Sequence, residues 1–153
     1  MNGVRKAPDL VVDASVAVKL FLPEELSEQA ANVFSSLEAN PPVAIYVPEF
    51  FYIECANVFR SRVKRQGMSG EAAKEAFAIL SAFPFQLLST AELSAEALDL
   101  ALDHDLSVYD ACYAAAASRL KAPLVTADQR LVHQLVKSEV KTLWLGDYPV
   151  HGD

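Results

Sequence analysis

Glycine is scarce in this chain, with five residues in 153 and none of them clustered. That excludes a glycine-rich loop cradling phosphates with backbone N–H groups, and the Gly-x-Ser-x-Gly turn of a serine hydrolase is also absent. Cysteine is scarcer still. Cys55 and Cys112 sit inside apolar helical patterns without Cys-x-x-Cys or Cys/His spacing, so they read as buried thiols rather than a disulfide or a zinc site. The histidines His104, His133 and His151 share no motif. No 18-residue apolar run is free of charge and proline, so no transmembrane helix is expected. "MNGVRKAPD" leads into a run broken by Asp13 and lacks the layout of a signal peptide, so a cytoplasmic address is the expectation. Positive charge is short as well. Thirteen basic residues against 20 acidic ones give a net charge of −7, which counts against a nucleic-acid binder working by bulk charge.

What remains is an apolar fraction of 52% with 22% charged residues, enough for one compact domain with a real core. "LVVD" is a short β-branched run, and "ASVAVKLFL" turns to helical spacing at Asp13. "SEQAANVFSSLEAN" predicts a helix opened by Ser27 and stopped at "NPP"; "VAIYVP" is a strand, with Pro48 placed where a helix can begin. "EFFYIECANVFRSRVKRQG" is an amphipathic helix ending at Gly67, and "SGEAAKEAFAILSAF" one capped by Ser69. "FQLLS" follows as a strand, then "SAEALDLALDHD" as a helix entered at Ser94 and "YDACYAAAASRL" as a helix with a small-residue face. "APLVTAD", "QRLVHQLVKS" and "VKTLWL" complete a strand–helix–strand end. Alternating helices and solid apolar strands predict an α/β three-layer sandwich around a parallel sheet. The domain spans residues 10–145, between a flexible N-terminus (1–9) and a C-terminal tail (146–153).

Asp13 and Asp128 each end a strand and precede a helix, and Asp110 opens a helix after the short "LSV" segment. Each suits helix capping; Ser107 and Asp110 even have capping-box spacing. Capping does not explain Glu54, which lies in a core-like helical run with Asn57 one turn further on the same face. Nor does it explain why the strand-end acids share one edge, since parallel strands all end at the crevice where ligands bind. Carboxylates gathered there repel by about 4 kcal/mol per pair at 4 Å and an effective dielectric near 20. Divalent cations remove that cost, and oxygen ligands without Cys or His suit Mg²⁺ or Mn²⁺. Such a site can activate water and stabilise phosphate charge during in-line displacement.

The layout "VVDAS…IECANV…VYDACYAAAA…LVTAD" resembles the PIN-domain family, most closely the VapC-type toxin ribonucleases of toxin–antitoxin systems, over roughly residues 10 to 145. The resemblance implies a five-stranded parallel sheet, a Mg²⁺- or Mn²⁺-dependent endoribonuclease, a homodimer and inhibition by a cognate antitoxin. Asp13, Glu54, Asp110 and Asp128 match the four family acids in order. On that resemblance Asp13 and Asp110 hold the metal, Glu54 orients or deprotonates the attacking water, and Asp128 completes the site. Ser15, Asn57 and Thr126 match polar residues that support the acids. The charge objection weakens, because four of the acids would be neutralised by metal. The basic run "RSRVKR" brings Arg65 near the Glu54 face, about 16 Å along the helix axis, as a candidate RNA contact beside its plainer role at a helix C-terminus. The competing expectation is a non-catalytic PIN-like module for dimerisation or antitoxin binding, which would bind no Mn²⁺. An aspartyl-nucleophile phosphatase is disfavoured because Ser15 stands where that chemistry needs a second aspartate.

Overall fold

Five short strands form one sheet in the order β3-β2-β1-β4-β5, and every neighbouring pair is parallel. They are β1 (Leu10–Val12), β2 (Ile45–Pro48), β3 (Gln86–Leu88), β4 (Leu124–Thr126) and β5 (Thr142–Trp144). The structure is a computed structural model that describes residues 6–150. Seven helices connect and cover the strands: α1 (Ala14–Ala17), α2 (Ser27–Ser35), α3 (Phe51–Arg65), α4 (Gly70–Ser81), α5 (Thr90–His104), α6 (Val108–Leu120) and α7 (Gln129–Gln134). The three central strands carry the buried Leu10, Val11, Val12, Ile45, Val47, Leu124 and Val125, which is why they read as solid apolar runs instead of alternating ones. Edge strand β3 is exposed at Gln86 and Leu87, as an edge covered on fewer sides should be.

Packing of α6 is the clearest consequence of composition. Ala111 through Ala117 are all buried, and the small side chains let this helix lie close against α5 and beside β1 and β2. Cys55 and Cys112 are buried free thiols, as their apolar surroundings predicted. A single 3₁₀ turn, Val18–Phe21, continues α1, and Glu24 just beyond it binds Lys19 at 3.2 Å and Arg62 of α3 at 3.0 Å. That pair of bridges ties the α1 extension to the helix carrying Glu54.

Several boundaries differ from the sequence reading. Helix α5 starts at Thr90, not at Ser94, because Ser89 caps it by accepting the Glu92 N–H. Helix α2 does begin at Ser27, but the residue before it is Leu26 in the left-handed region (φ 70°), with no side-chain cap. Pro48 closes β2, and α3 begins three residues later at Phe51. Within the segments set apart as termini, Asp9 accepts the Ala44 N–H at 3.0 Å and the Pro149 carbonyl accepts from Asn32 at 3.2 Å. Residues 1–5 and 151–153 of those segments lie outside the described residues.

Candidate active site

The strand order reverses direction at β1: the chain builds outward through β2 and β3, then returns to the other side with β4 and β5. In open parallel sheets the crevice at that switch point, beyond the strand C-termini, is where ligands bind. Asp13 and Asp128 follow the two strands that flank it, β1 and β4.

Asp13 is buried, with 7% of its surface exposed, and both carboxylate oxygens accept hydrogen bonds. Oδ1 takes the Ser15 N–H at 2.5 Å, capping α1, and Oδ2 takes the Thr126 hydroxyl at 2.6 Å. Thr126 is fully buried and its Oγ1 also accepts the Asp128 N–H at 3.1 Å, while Ser15 Oγ accepts the Ala127 N–H at 3.0 Å. One hydroxyl from each side therefore stitches the β1 and β4 ends together around Asp13. Burial pushes the Asp13 carboxyl above its ordinary range, against the pull of those hydrogen bonds, and the charge of Asp110 adds to the rise.

Glu54, half-buried on α3, accepts the Tyr113 hydroxyl at Oε1, 2.8 Å away. Desolvation raises its carboxyl too; the Tyr113 bond opposes this, and Asp13 and Asp110 push it further up. Asp110 is likewise raised, first by burial and then by Asp128, with the Ser107 hydroxyl and the Arg130 guanidinium opposing. The capping question divides in an informative way. Asp128 caps α7, accepting the Arg130 and Leu131 N–H groups. At α6, however, the cap is Ser107, whose Oγ accepts the Asp110 N–H at 3.1 Å, and among the described residues the Asp110 carboxylate accepts no backbone N–H. Asp110 is a first-turn acid left free of the capping duty that its spacing allowed.

The fold thus brings Asp13, Ser15, Thr126 and Asp128 into one hydrogen-bonded unit and sets Glu54 and Asp110 within reach of its charge. It does not bring in Asn57 or Arg65: both are exposed on α3, and neither makes a hydrogen bond or ion pair to these acids among the described residues. Two residues at the site escaped the sequence reading. Tyr113 sits three positions after Asp110, hence on its helix face, and carries the one hydroxyl between Ala111 and Ala117. Arg130 follows Asp128 by two residues and carried no signal beyond being a cation beside an acid.

Three carboxyls raised together mark a region short of positive charge. All their donors are oxygens, the chemistry of Mg²⁺ or Mn²⁺ rather than zinc. Among the described residues no three His, Cys, Asp or Glu side chains close into a ready-made cage. Mg²⁺ takes one or two carboxylates and fills its remaining positions with water and substrate phosphate, so the donor set fits such an ion without a cage.

The family model described as the PIN domain matches residues 10–135. Ribonuclease VapC3 of Pyrobaculum aerophilum is 32% identical over 125 residues, covering 82% of this chain and 93% of that protein. Two solved structures share the fold at low identity. Mycobacterium tuberculosis VapC20, described as a toxin cleaving the sarcin–ricin loop, gives a TM-score of 0.61 at 20% identity, over 82% of this chain and 94% of its own. The VapBC2 complex of Rickettsia felis, bound to a promoter DNA fragment, gives 0.64 at 12% identity, over 90% of this chain and 98% of the other.

Proposed function

The chain belongs to the PIN-domain family, and on that premise we propose that it is a divalent-metal-dependent endoribonuclease, the toxin of a type II toxin–antitoxin pair. The observation that carries the reading is Asp13: a buried carboxylate at the sheet switch point, held at both oxygens and surrounded by acids that raise one another's proton affinity. Burying such charge without a counter-ion costs several kcal/mol, a cost that only a cationic ligand or a proton relieves.

In this reading Asp13 and Asp110 hold Mg²⁺ or Mn²⁺, which when bound supplies Lewis-acid activation of water and neutralises phosphate charge. Ser15 and Thr126 fix the Asp13 carboxylate, leaving one lone pair on each oxygen for a ligand. Tyr113 pins Glu54 through Oε1, so Oε2 is the atom that takes the proton from the water attacking phosphorus. The raised proton affinity of Glu54 suits that general-base role. As phosphorus gains the water oxygen, the P–O bond to the leaving nucleotide breaks and that oxygen is protonated by solvent. Asp128 completes the acidic face while anchoring α7.

The relative named as a ribonuclease supports RNA as substrate, and the solved toxin–antitoxin complexes support a cognate antitoxin as partner. A homodimer is supported by apolar side chains exposed on two helices, Ile79 on α4 and Leu98 and Leu102 on α5, the last 75% exposed. No helix among the described residues is long and apolar enough to cross a membrane.

The test is cleavage of single-stranded RNA by the purified chain with Mg²⁺ or Mn²⁺. Cleavage should stop with EDTA and fall at least a hundredfold in Asp13→Asn, with circular dichroism unchanged. Wild-type rates in Asp13→Asn together with indifference to EDTA would overturn the mechanism.

A further inference from the structure

Beyond Asp128 the same sheet edge opens into a cavity of about 440 Å³ whose lining includes Lys19, Glu25, Leu26, Asp128, Arg130 and Trp144. Its volume lies in the range of small-ligand sites, and the lining sets two cations beside the indole ring of Trp144. Trp144 is the only tryptophan. It ends β5 and is paired in register with Thr126, the residue whose hydroxyl holds Asp13, so the indole belongs to the carboxylate edge. The ring is held by backbone. A Cβ on Gly146 would lie 2.3 to 2.6 Å from three of its ring atoms, so the indole rests against a surface that only glycine leaves open. Lys19 is fixed by Glu24 and by the Glu25 carbonyl, each at 3.2 Å. Arg130 is exposed and makes no ion pair among the described residues, although the cavity it lines includes two acids, Glu25 and Asp128.

We infer that this cavity seats one nucleotide of single-stranded RNA beside the cleaved phosphodiester, its base stacked on Trp144 and its phosphate bound by Arg130 with Lys19. The inference rests on the nuclease reading and adds to it where the substrate strand lies. A fixed aromatic face with adjacent cations is how single strands are held without regard to sequence: every base offers a π-face and every linkage a charge. A chain of net charge −7 can still bind RNA here, since the strand needs positive charge only along its path and Lys19 and Arg130 supply it at this rim. A protein segment docking here would instead favour an apolar lining.

Because Trp144 is the sole tryptophan, its fluorescence reports this cavity alone. Asp110→Asn protein with Mg²⁺ present, titrated with an eight-nucleotide single-stranded RNA, should show saturable quenching. Arg130→Ala should weaken that binding about tenfold. In the otherwise wild-type chain, Trp144→Ala should raise KM about tenfold with kcat within twofold, Trp144→Phe should restore KM, and Gly146→Ala should mimic Trp144→Ala by displacing the ring. Absence of quenching with an oligonucleotide that the wild type cleaves would overturn the subsite and leave the nuclease reading standing. Quenching by RNA that the wild type never cleaves with any metal would support the cavity and overturn the nuclease reading. Equal quenching by duplex RNA, or a fall in kcat alone, would overturn the single-strand stacking role.

Discussion

Replacing Asp110 with asparagine should make the metal-free protein more stable while making it inactive. The side chain is half-buried, and its carboxylate lies in the field of Asp128 and close enough to Asp13 and Glu54 to raise both. Unlike Asp13 and Asp128, it accepts no backbone hydrogen bond among the described residues that an amide would forfeit. Two like charges at an effective dielectric near 20 repel by about 4 kcal/mol at 4 Å and by about half that at twice the separation, so about 2 kcal/mol is the scale for carboxylates sharing one crevice. Against this stand the Ser107 hydroxyl, the attraction of Arg130 and the favourable position of an acid in the first turn of α6, the last about 0.5 kcal/mol. A net gain of about 1 kcal/mol at pH 7 is expected, read by urea denaturation in EDTA. The pH dependence has a definite sign. The folded-state pKa of Asp110 is raised above the unfolded value near 3.8, so the native state binds more protons and stability falls as pH rises. The advantage of Asp110→Asn should therefore be complete above the raised pKa and vanish below about pH 4. Adding Mg²⁺ should stabilise the wild type, by about 2.7 kcal/mol at a hundred times Kd, and the variant by much less. A loss of 1 kcal/mol or more in EDTA at pH 7 would refute the reasoning, because it would make Asp110 a structural residue.

Tyr113→Phe removes the donor to Glu54 from a helix that keeps its packing; kcat should fall about tenfold with KM and circular dichroism unchanged, and unaltered kcat would sink the positioning role. Thr126→Val deletes both the donor to Asp13 and the acceptor for the Asp128 N–H inside a fully buried site. About 2–4 kcal/mol of stability should be lost, seen as a lower urea midpoint at constant slope.

Much of this fold was legible because its parallel strands are buried on both faces and so appear as unbroken apolar runs, as in "LVVD" and "PLVT". The start of α5 was not. "STAE" and "SAEA" both begin with serine and carry acids nearby, and only the Ser89 hydroxyl on the Glu92 N–H separates them. The acids at strand ends were legible for a related reason: topology alone puts them on one edge. Their supports were less so. Thr126 ends β4 and Ser15 lies in α1, more than a hundred positions apart in sequence, yet one hydroxyl from each closes the gap between the β1 and β4 ends. Arg130 had no local pattern to mark it, because a cation matters here through the acids across the crevice, which only the assembled sheet brings near.

Asp110 shows why a capping pattern and a functional carboxylate are hard to separate by spacing alone. Ser107-x-x-Asp110 satisfies the box, but the fold uses half of it: the serine caps, and the acid does not return the bond. The duties are distributed differently at Asp13 and Asp128, where one carboxylate both holds a helix start and faces the charge of its neighbours. A cap that is also a ligand has its orientation fixed before any cation arrives, which lowers the reorganisation needed on binding. On the proposed reading the Asp110 carboxylate, which no backbone N–H fixes among the described residues, can instead adjust to the ion and to the strand. In that division of labour the β1 and β4 ends supply the rigid half of the site and the α6 terminus the compliant half. Removing the compliant carboxylate should therefore relieve the fold, whereas removing Thr126 from the rigid half should damage it.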